Sequence, residues 1–111
     1  MLSHYCHPGQ LNDGLAGVIA MSLLFDRLRK KERLRFNYIF LSFPETIGSS
    51  VFLAEFPNYL DSSFCSFFSE MPGASSPIRI TLSRDANSYL NRISLCLLNS
   101  KEAKYLSLIH I

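Results

Sequence analysis

The sequence predicts an α/β fold with a mainly parallel sheet flanked by helices, and three observations carry that prediction. Short apolar runs alternate with segments of helical periodicity. Residues 36–43, Phe-Asn-Tyr-Ile-Phe-Leu-Ser-Phe, are almost continuously apolar, as a strand covered on both faces must be. Turn-forming clusters such as Pro8-Gly9 and Asn12-Asp13-Gly14 fall between these segments rather than inside them. A chain of 111 residues with 48% hydrophobic and 13% aromatic side chains can bury one core, and it is too apolar for intrinsic disorder.

Residues 1–5 read as the end of a strand, and the loop signals through Gly14 follow it. From Gly14 the pattern turns helical: Leu15, Val18, Ile19, Ser22, Phe25 and Leu28 share one face, which Met21 and Leu24 widen. Asp13 stands where it can cap that helix, and the cations from Arg27 onward suit its C-terminal end. Pro44 stops the strand at 36–43, and a helix over 46–56 is closed by Pro57. Residues 63–69, with Phe64, Phe67 and Phe68, form a third strand candidate. After a Pro/Gly/Ser loop at 71–77 come a short strand at 78–82 and a helix carrying Leu90, Ile93 and Leu97, with Asp85 as its expected cap.

Several function classes fall away at this point. A net charge of +2 is far from the field a nucleic-acid binder carries, and the basic run 27–35 has no interleaved aromatic platform, so it reads as a solvated helix end. No nucleic-acid partner is expected. No apolar stretch approaches the roughly 20 residues of a membrane span, and the start does not read as an export signal. Three widely spaced cysteines argue against a disulfide framework and for a reducing, cytoplasmic setting.

In a parallel α/β sheet ligands bind at the carboxyl ends of the strands. His4, His7 and Asp13 follow the first predicted strand, Glu45 the second and Glu70 the third. Imidazoles with carboxylates are a zinc donor set, and a carboxylate left off the metal can take a proton from the attacking water. The plainer alternative is that the histidines are surface residues and Asp13 is a helix cap.

Three motifs add a resemblance. The first is His4-Tyr5-Cys6-His7-Pro8-Gly9-Gln10-Leu11-Asn12-Asp13-Gly14-Leu15-Ala16-Gly17. The second is Phe43-Pro44-Glu45-Thr46-Ile47-Gly48-Ser49, and the third is Phe68-Ser69-Glu70-Met71-Pro72-Gly73. In this order they resemble the zinc aminopeptidase family of the bacterial leucyl aminopeptidase and glutamate carboxypeptidase type. The likeness is greater to the aminopeptidase-like domains of bacterial polysaccharide-biosynthesis proteins. The resemblance implies a three-layer sandwich, one or two zinc ions, and hydrolysis of an N-terminal peptide or related amide bond. It implies Asp13 as the carboxylate bridging two metals, Glu45 as general base and Glu70 as a further ligand. His7 is the preferred imidazole ligand because it belongs to the Cys-His-Pro element, and His4 competes because it matches the wider family's His-x-Asp pattern.

Two departures qualify that implication. Thr46 stands where the wider family has a second glutamate, and Cys6 stands where it has an aspartate. Cys6 is read as a small buried side chain, with a soft metal ligand as the alternative. These departures favour a rival function, a non-catalytic module that binds a glycan intermediate or a protein partner; an amidase or deacetylase acting on an amino sugar is a third reading.

The terminal Leu106-Ser107-Leu108-Ile109-His110-Ile111 matches the translation of CTG TCT CTT ATA CAC ATC, a transposon adapter used for sequencing libraries. The expectation is therefore a partial zinc-aminopeptidase-like domain at 1–105 with an adapter-derived tail at 106–111, in which His110 is not the family's final ligand. Such a piece is expected to be inactive alone and to expose apolar edges.

Overall fold

The computed structural model describes residues 1–101 and the backbone of 105–109. It forms two compact units, Met1–Gly73 and Ala74–Ile111. Each contains a small parallel sheet with helices, so the chain is a mixed α/β structure.

In the first unit, strand β1 (Leu2–His4) pairs in parallel with β2 (Leu41–Phe43), in the register Leu2 to Leu41, Ser3 to Ser42 and His4 to Phe43. The predicted strand at 36–43 is thus paired only over its last three residues, because a ladder extends no further than its partner and β1 is three residues long. On the other edge of β1 the third predicted strand narrows to one parallel bridge, Leu2 with Phe68. There Leu2 donates to the Phe67 carbonyl at 2.8 Å and Ser69 donates to the Leu2 carbonyl at 2.9 Å. β1 is therefore the central strand of this unit, and all three segments end on the same side.

Helix α1 (Ala16–Arg29) crosses behind β1. Its buried stripe is Gly17 and Met21, one turn apart, whereas Leu15, Ile19 and Phe25 of the predicted face are about half exposed. Gly17 sets that stripe. A Cβ there would collide with the Ser3 hydroxyl and lie 2.7 Å from the Ser69 carbonyl oxygen, so only glycine lets the helix lie this close to the strands. Asp13 is not the helix cap: α1 begins beyond it, its N-terminal flanking residue is Leu15, and no side chain caps it. The intervening turn Leu11–Leu15 is broken at Asp13 and at Gly14, whose φ of 106° excludes most side chains. Helix α2 (Ile47–Glu55) follows Pro44 closely, with Gly48 packed on Phe43, and Pro57 opens the single turn α3 (Asn58–Asp61).

In the second unit, β3 (Ile78–Leu82) pairs in parallel over five residues with β4 (Tyr105–Ile109), and α4 (Tyr89–Ser100) connects them. The cap of α4 is Ser88, whose hydroxyl accepts the Asn91 N–H, rather than Asp85. The Asp85 carboxylate instead accepts the Asn87 N–H at 3.0 Å, closing a turn of its own. Residues 106–109 of the terminal segment lie in β4; His110 and Ile111 lie outside the described residues. Among the described residues the buried apolar side chains are Met21 and Leu82. No helix among them is long and apolar enough to cross a membrane.

Candidate metal centre

All five residues singled out at the strand ends meet in the first unit. His4 is the last residue of β1, and only 3% of it is exposed. Its ring stacks on Phe68, with centroids 5.8 Å apart, and meets His7 edge-on at 5.3 Å. Its Nε2 lies 3.2 Å from Asp13 Oδ1 and 3.9 Å from Glu70 Oε1. His7, a third exposed, presents Nδ1 to the same Asp13 oxygen at 3.5 Å and Nε2 to Glu45 Oε2 at 3.7 Å. Asp13 thus faces both imidazoles, while Glu45 and Glu70 flank the pair from the loops after β2 and after the Phe68 bridge.

Two of these atoms, His4 Nε2 and Asp13 Oδ1, are buried and have no hydrogen-bond partner. They stand at ion-pair distance without hydrogen-bond geometry. Leaving such groups unsatisfied is costly, and an ion between them offsets that cost. Two donors on one zinc ion, each at about 2.0–2.1 Å in near-tetrahedral geometry, stand about 3.3 Å apart. The observed 3.2 Å matches that spacing. The serine hydroxyls of Ser3 and Ser42 are likewise unpartnered, but they are neutral and belong to the strands. Two donor sets have all ligand atoms within 4.8 Å of one another, His4 with Asp13 and Glu70, and His4 with Cys6, His7 and Glu45. The nitrogen and oxygen donors present fit zinc.

The three carboxylates share one backbone feature. Each is followed by a residue of positive φ: Gly14 at 106° after Asp13, Thr46 at 62° after Glu45 and Met71 at 43° after Glu70. For a β-branched threonine this conformation costs about 1–3 kcal/mol and persists only where neighbours impose it. The neighbours are the first turn of α2: the Thr46 carbonyl accepts the Ser50 N–H and the hydroxyls of Ser49 and Ser50 at 2.8–3.0 Å. Where the resembled pattern has a ligating glutamate, this chain thus has a strained, exposed threonine.

Two residues play parts that differ from the sequence reading, Asn12, which it did not single out, and Cys6, which it read as a small buried side chain. Asn12 Oδ1 accepts the Gly73 N–H at 2.8 Å, tying the turn that carries Asp13 to the loop that carries Glu70. The signal was present, since Asn12 and Gly73 stand inside the first and third motifs, but a long-range brace leaves no periodic trace. The other is Cys6. Its Sγ lies 3.7 Å from His4 Nδ1 and 3.6 Å from His7 Nδ1, and it accepts the Glu45 N–H at 3.2 Å. It is half-buried among ring nitrogens rather than among apolar groups. Beside His4 and Glu45 a cavity of about 390 Å³ opens, walled by Leu2, Phe43 and Phe68 and edged by the hydroxyl residues Thr46, Ser49 and Ser50.

Imidazoles and carboxylates gathered at the ends of parallel strands define the chain as an α/β protein with a candidate metal centre. It belongs to the family described as Domain of unknown function (DUF4910), whose model matches residues 1–110. It is also 37% identical over 54 residues to a protein of Clostridium acetobutylicum named for polysaccharide biosynthesis with an aminopeptidase-like domain. That match covers 49% of this chain and 12% of the relative's length, so the chain spans a small part of that protein. No solved structure matches.

Proposed function

We propose that this chain carries the metal centre of an aminopeptidase-like hydrolase that cleaves an N-terminal peptide or related amide bond, in a parent protein of bacterial polysaccharide biosynthesis. The observation that carries the proposal is the pair of unpartnered buried atoms, His4 Nε2 and Asp13 Oδ1, facing each other at 3.2 Å with Glu70 and His7 alongside. The aminopeptidase-like name of the Clostridium acetobutylicum relative supports the same reading. The three-layer sandwich of zinc peptidases and a reducing, cytoplasmic setting belong to this proposal; the three free cysteines support the latter.

In this reading His4, Asp13 and Glu70 would hold zinc, with His7 beside the same Asp13 oxygen. A zinc ion bound there supplies Lewis acidity, polarising a carbonyl and making bound water more acidic. Glu45, about half exposed, is the carboxylate free to move protons: Oε2 takes one from the attacking water and returns it to the leaving amine. His7 Nε2, 3.7 Å away, orients that carboxylate. The adjoining cavity admits an apolar substrate group between Phe43 and Phe68, with hydroxyls at its rim.

Zinc content and turnover test the proposal together. The purified protein is expected to retain zinc and Asp13→Asn to lose it; equal zinc in both overturns the ligand assignment. In the full-length parent protein, Glu45→Gln is expected to keep the metal and lose turnover on aminoacyl amides by about 100-fold or more. The second reading, a metal-holding module without turnover, draws on Thr46 in place of a ligating carboxylate. It predicts no difference between Glu45→Gln and the parent in any hydrolytic assay, with metal and ligand binding unchanged.

A further inference from the structure

We propose that Asn12 is a positioning residue of the metal site: it pins the arch of chain that carries Glu70 and so sets how far that carboxylate stands from His4 and Asp13. The inference rests on the metal-centre reading above and deepens it. Of the three ligands in that reading, Glu70 has the least local support. His4 closes β1, and Asp13 precedes a Gly14 packed so tightly that a Cβ there would stand 3.3 Å from the His4 carbonyl oxygen. Glu70 instead follows a single β-bridge, and its side chain is about half exposed. Its Oε1 lies 3.9 Å from His4 Nε2, against 3.2 Å for Asp13 Oδ1.

Two hydrogen bonds hold the ends of the arch. At its start the Ser69 N–H donates to the Leu2 carbonyl at 2.9 Å, on the strand that ends in His4. At its close the Gly73 N–H donates to Asn12 Oδ1 at 2.8 Å, across 61 residues of sequence and next to Asp13. Glu70, Met71 and Pro72 lie between these anchors, and each anchor leads to a segment that carries another ligand. Met71 has a φ of 43°, a left-handed conformation that a residue with a side chain keeps only where its surroundings impose it. The seat of Gly73 is closed as well, since a Cβ there would lie 2.9 Å from Asn12 Oδ1 and 3.3 Å from the Ala16 Cβ at the start of α1. The Asn12 oxygen is spent on this amide, so its effect reaches the metal through Glu70. Groups that hold metal ligands in place are typically worth about 10–100-fold in affinity.

Zinc affinity tests the assignment, measured on the full chain by competition with a chromophoric chelator. The unchanged chain is expected to bind zinc saturably, and Asn12→Ala to bind it about 10–100-fold more weakly. Asn12→Asp keeps an acceptor oxygen for the Gly73 amide and is expected to bind at least as tightly as the unchanged chain. This variant decides the matter even where Asn12→Ala does not fold. Glu70→Gln, itself expected to bind more weakly, separates positioning from a general structural role. If Asn12 acts through Glu70, adding Asn12→Ala to Glu70→Gln changes the affinity by less than about twofold. A double variant that shows the product of the two single losses overturns the assignment. So does zinc binding in Asn12→Ala equal to that of the unchanged chain, or loss of binding in Asn12→Asp. Each of these results leaves the metal centre standing, whereas absence of saturable zinc binding by the unchanged chain overturns both.

Discussion

Each unit of the chain buries a polar cluster, and the two clusters are finished differently. In the second unit Asn91, 6% exposed, completes its hydrogen bonds within the protein. Its Nδ2 donates to the Asp85 carbonyl at 2.8 Å and to Ser83 Oγ at 3.0 Å, and its Oδ1 accepts the Ser83 N–H at 3.3 Å. Its own N–H reaches the Ser88 cap. In the first unit His4 is more deeply buried, yet its Nε2 and the Asp13 oxygen opposite have no hydrogen-bond partner. A buried polar group that satisfies itself holds a fold together; one left without a partner calls for water, an ion or a reacting group to complete it.

Zinc gives the largest expected effect on this contrast. At about 100 times its dissociation constant, zinc should stabilise the first unit by about 2.7 kcal/mol, or roughly 10–20 °C in Tm. Differential scanning fluorimetry should show the shift reversed by a chelator and absent in Asp13→Asn. A rise that survives Asp13→Asn would place the metal elsewhere.

Next in size is Asn91→Ala, which strips several hydrogen bonds at once and should cost about 2–3 kcal/mol in urea unfolding, with or without zinc. The metal-free Asp13→Asn protein should change by less than about 1 kcal/mol, because Asp13 Oδ1 makes no hydrogen bond there. Equal losses in the two variants would erase the distinction between a structural and a waiting cluster.

Gly17→Ala should cost about 1–3 kcal/mol, since its Cβ meets Ser3 and the Ser69 carbonyl and must push α1 away from β1. Ser3 precedes His4, so zinc affinity should fall with stability; a variant that loses stability alone would show that the strand end is held independently of α1.

The smallest effect belongs to Asp26, on the exposed surface of α1. Hydrogen bonds from Lys30 and Arg29 hold its carboxyl below the ordinary value of 3.8. Its contribution to stability is therefore present above that pH and fades as pH falls through the lowered value. Asp26→Asn should remove a slight part of the acid sensitivity seen in urea titrations, and added salt should mask it.

Much of the site was legible in the sequence because its residues sit just beyond apolar runs and inside short motifs. His4, His7, Asp13, Glu45 and Glu70 could be nominated from strand ends alone. Roles that depend on distance could not. Asp13 has the sequence position of a helix cap, and only the break at Asp13 and Gly14 turns its carboxylate to the imidazoles. The apolar pattern at 36–43 and 63–69 reads as two full strands, but pairing needs neighbours, and β1 offers three residues on one edge and one bridge on the other.

By itself, then, the sequence determined the alternation of strands and helices, the breaks at Pro44 and Pro57, and which side chains with metal chemistry stand where strands end. Periodicity and backbone restrictions act over a few residues, so they are written locally. Only the tertiary structure decided which atoms meet. It set Cys6 against the Glu45 amide 39 residues away, tied Asn12 to Gly73, and brought His4 and His7 to one oxygen of Asp13. Those contacts join segments far apart in sequence, and their geometry follows from packing β1 between its neighbours and under α1.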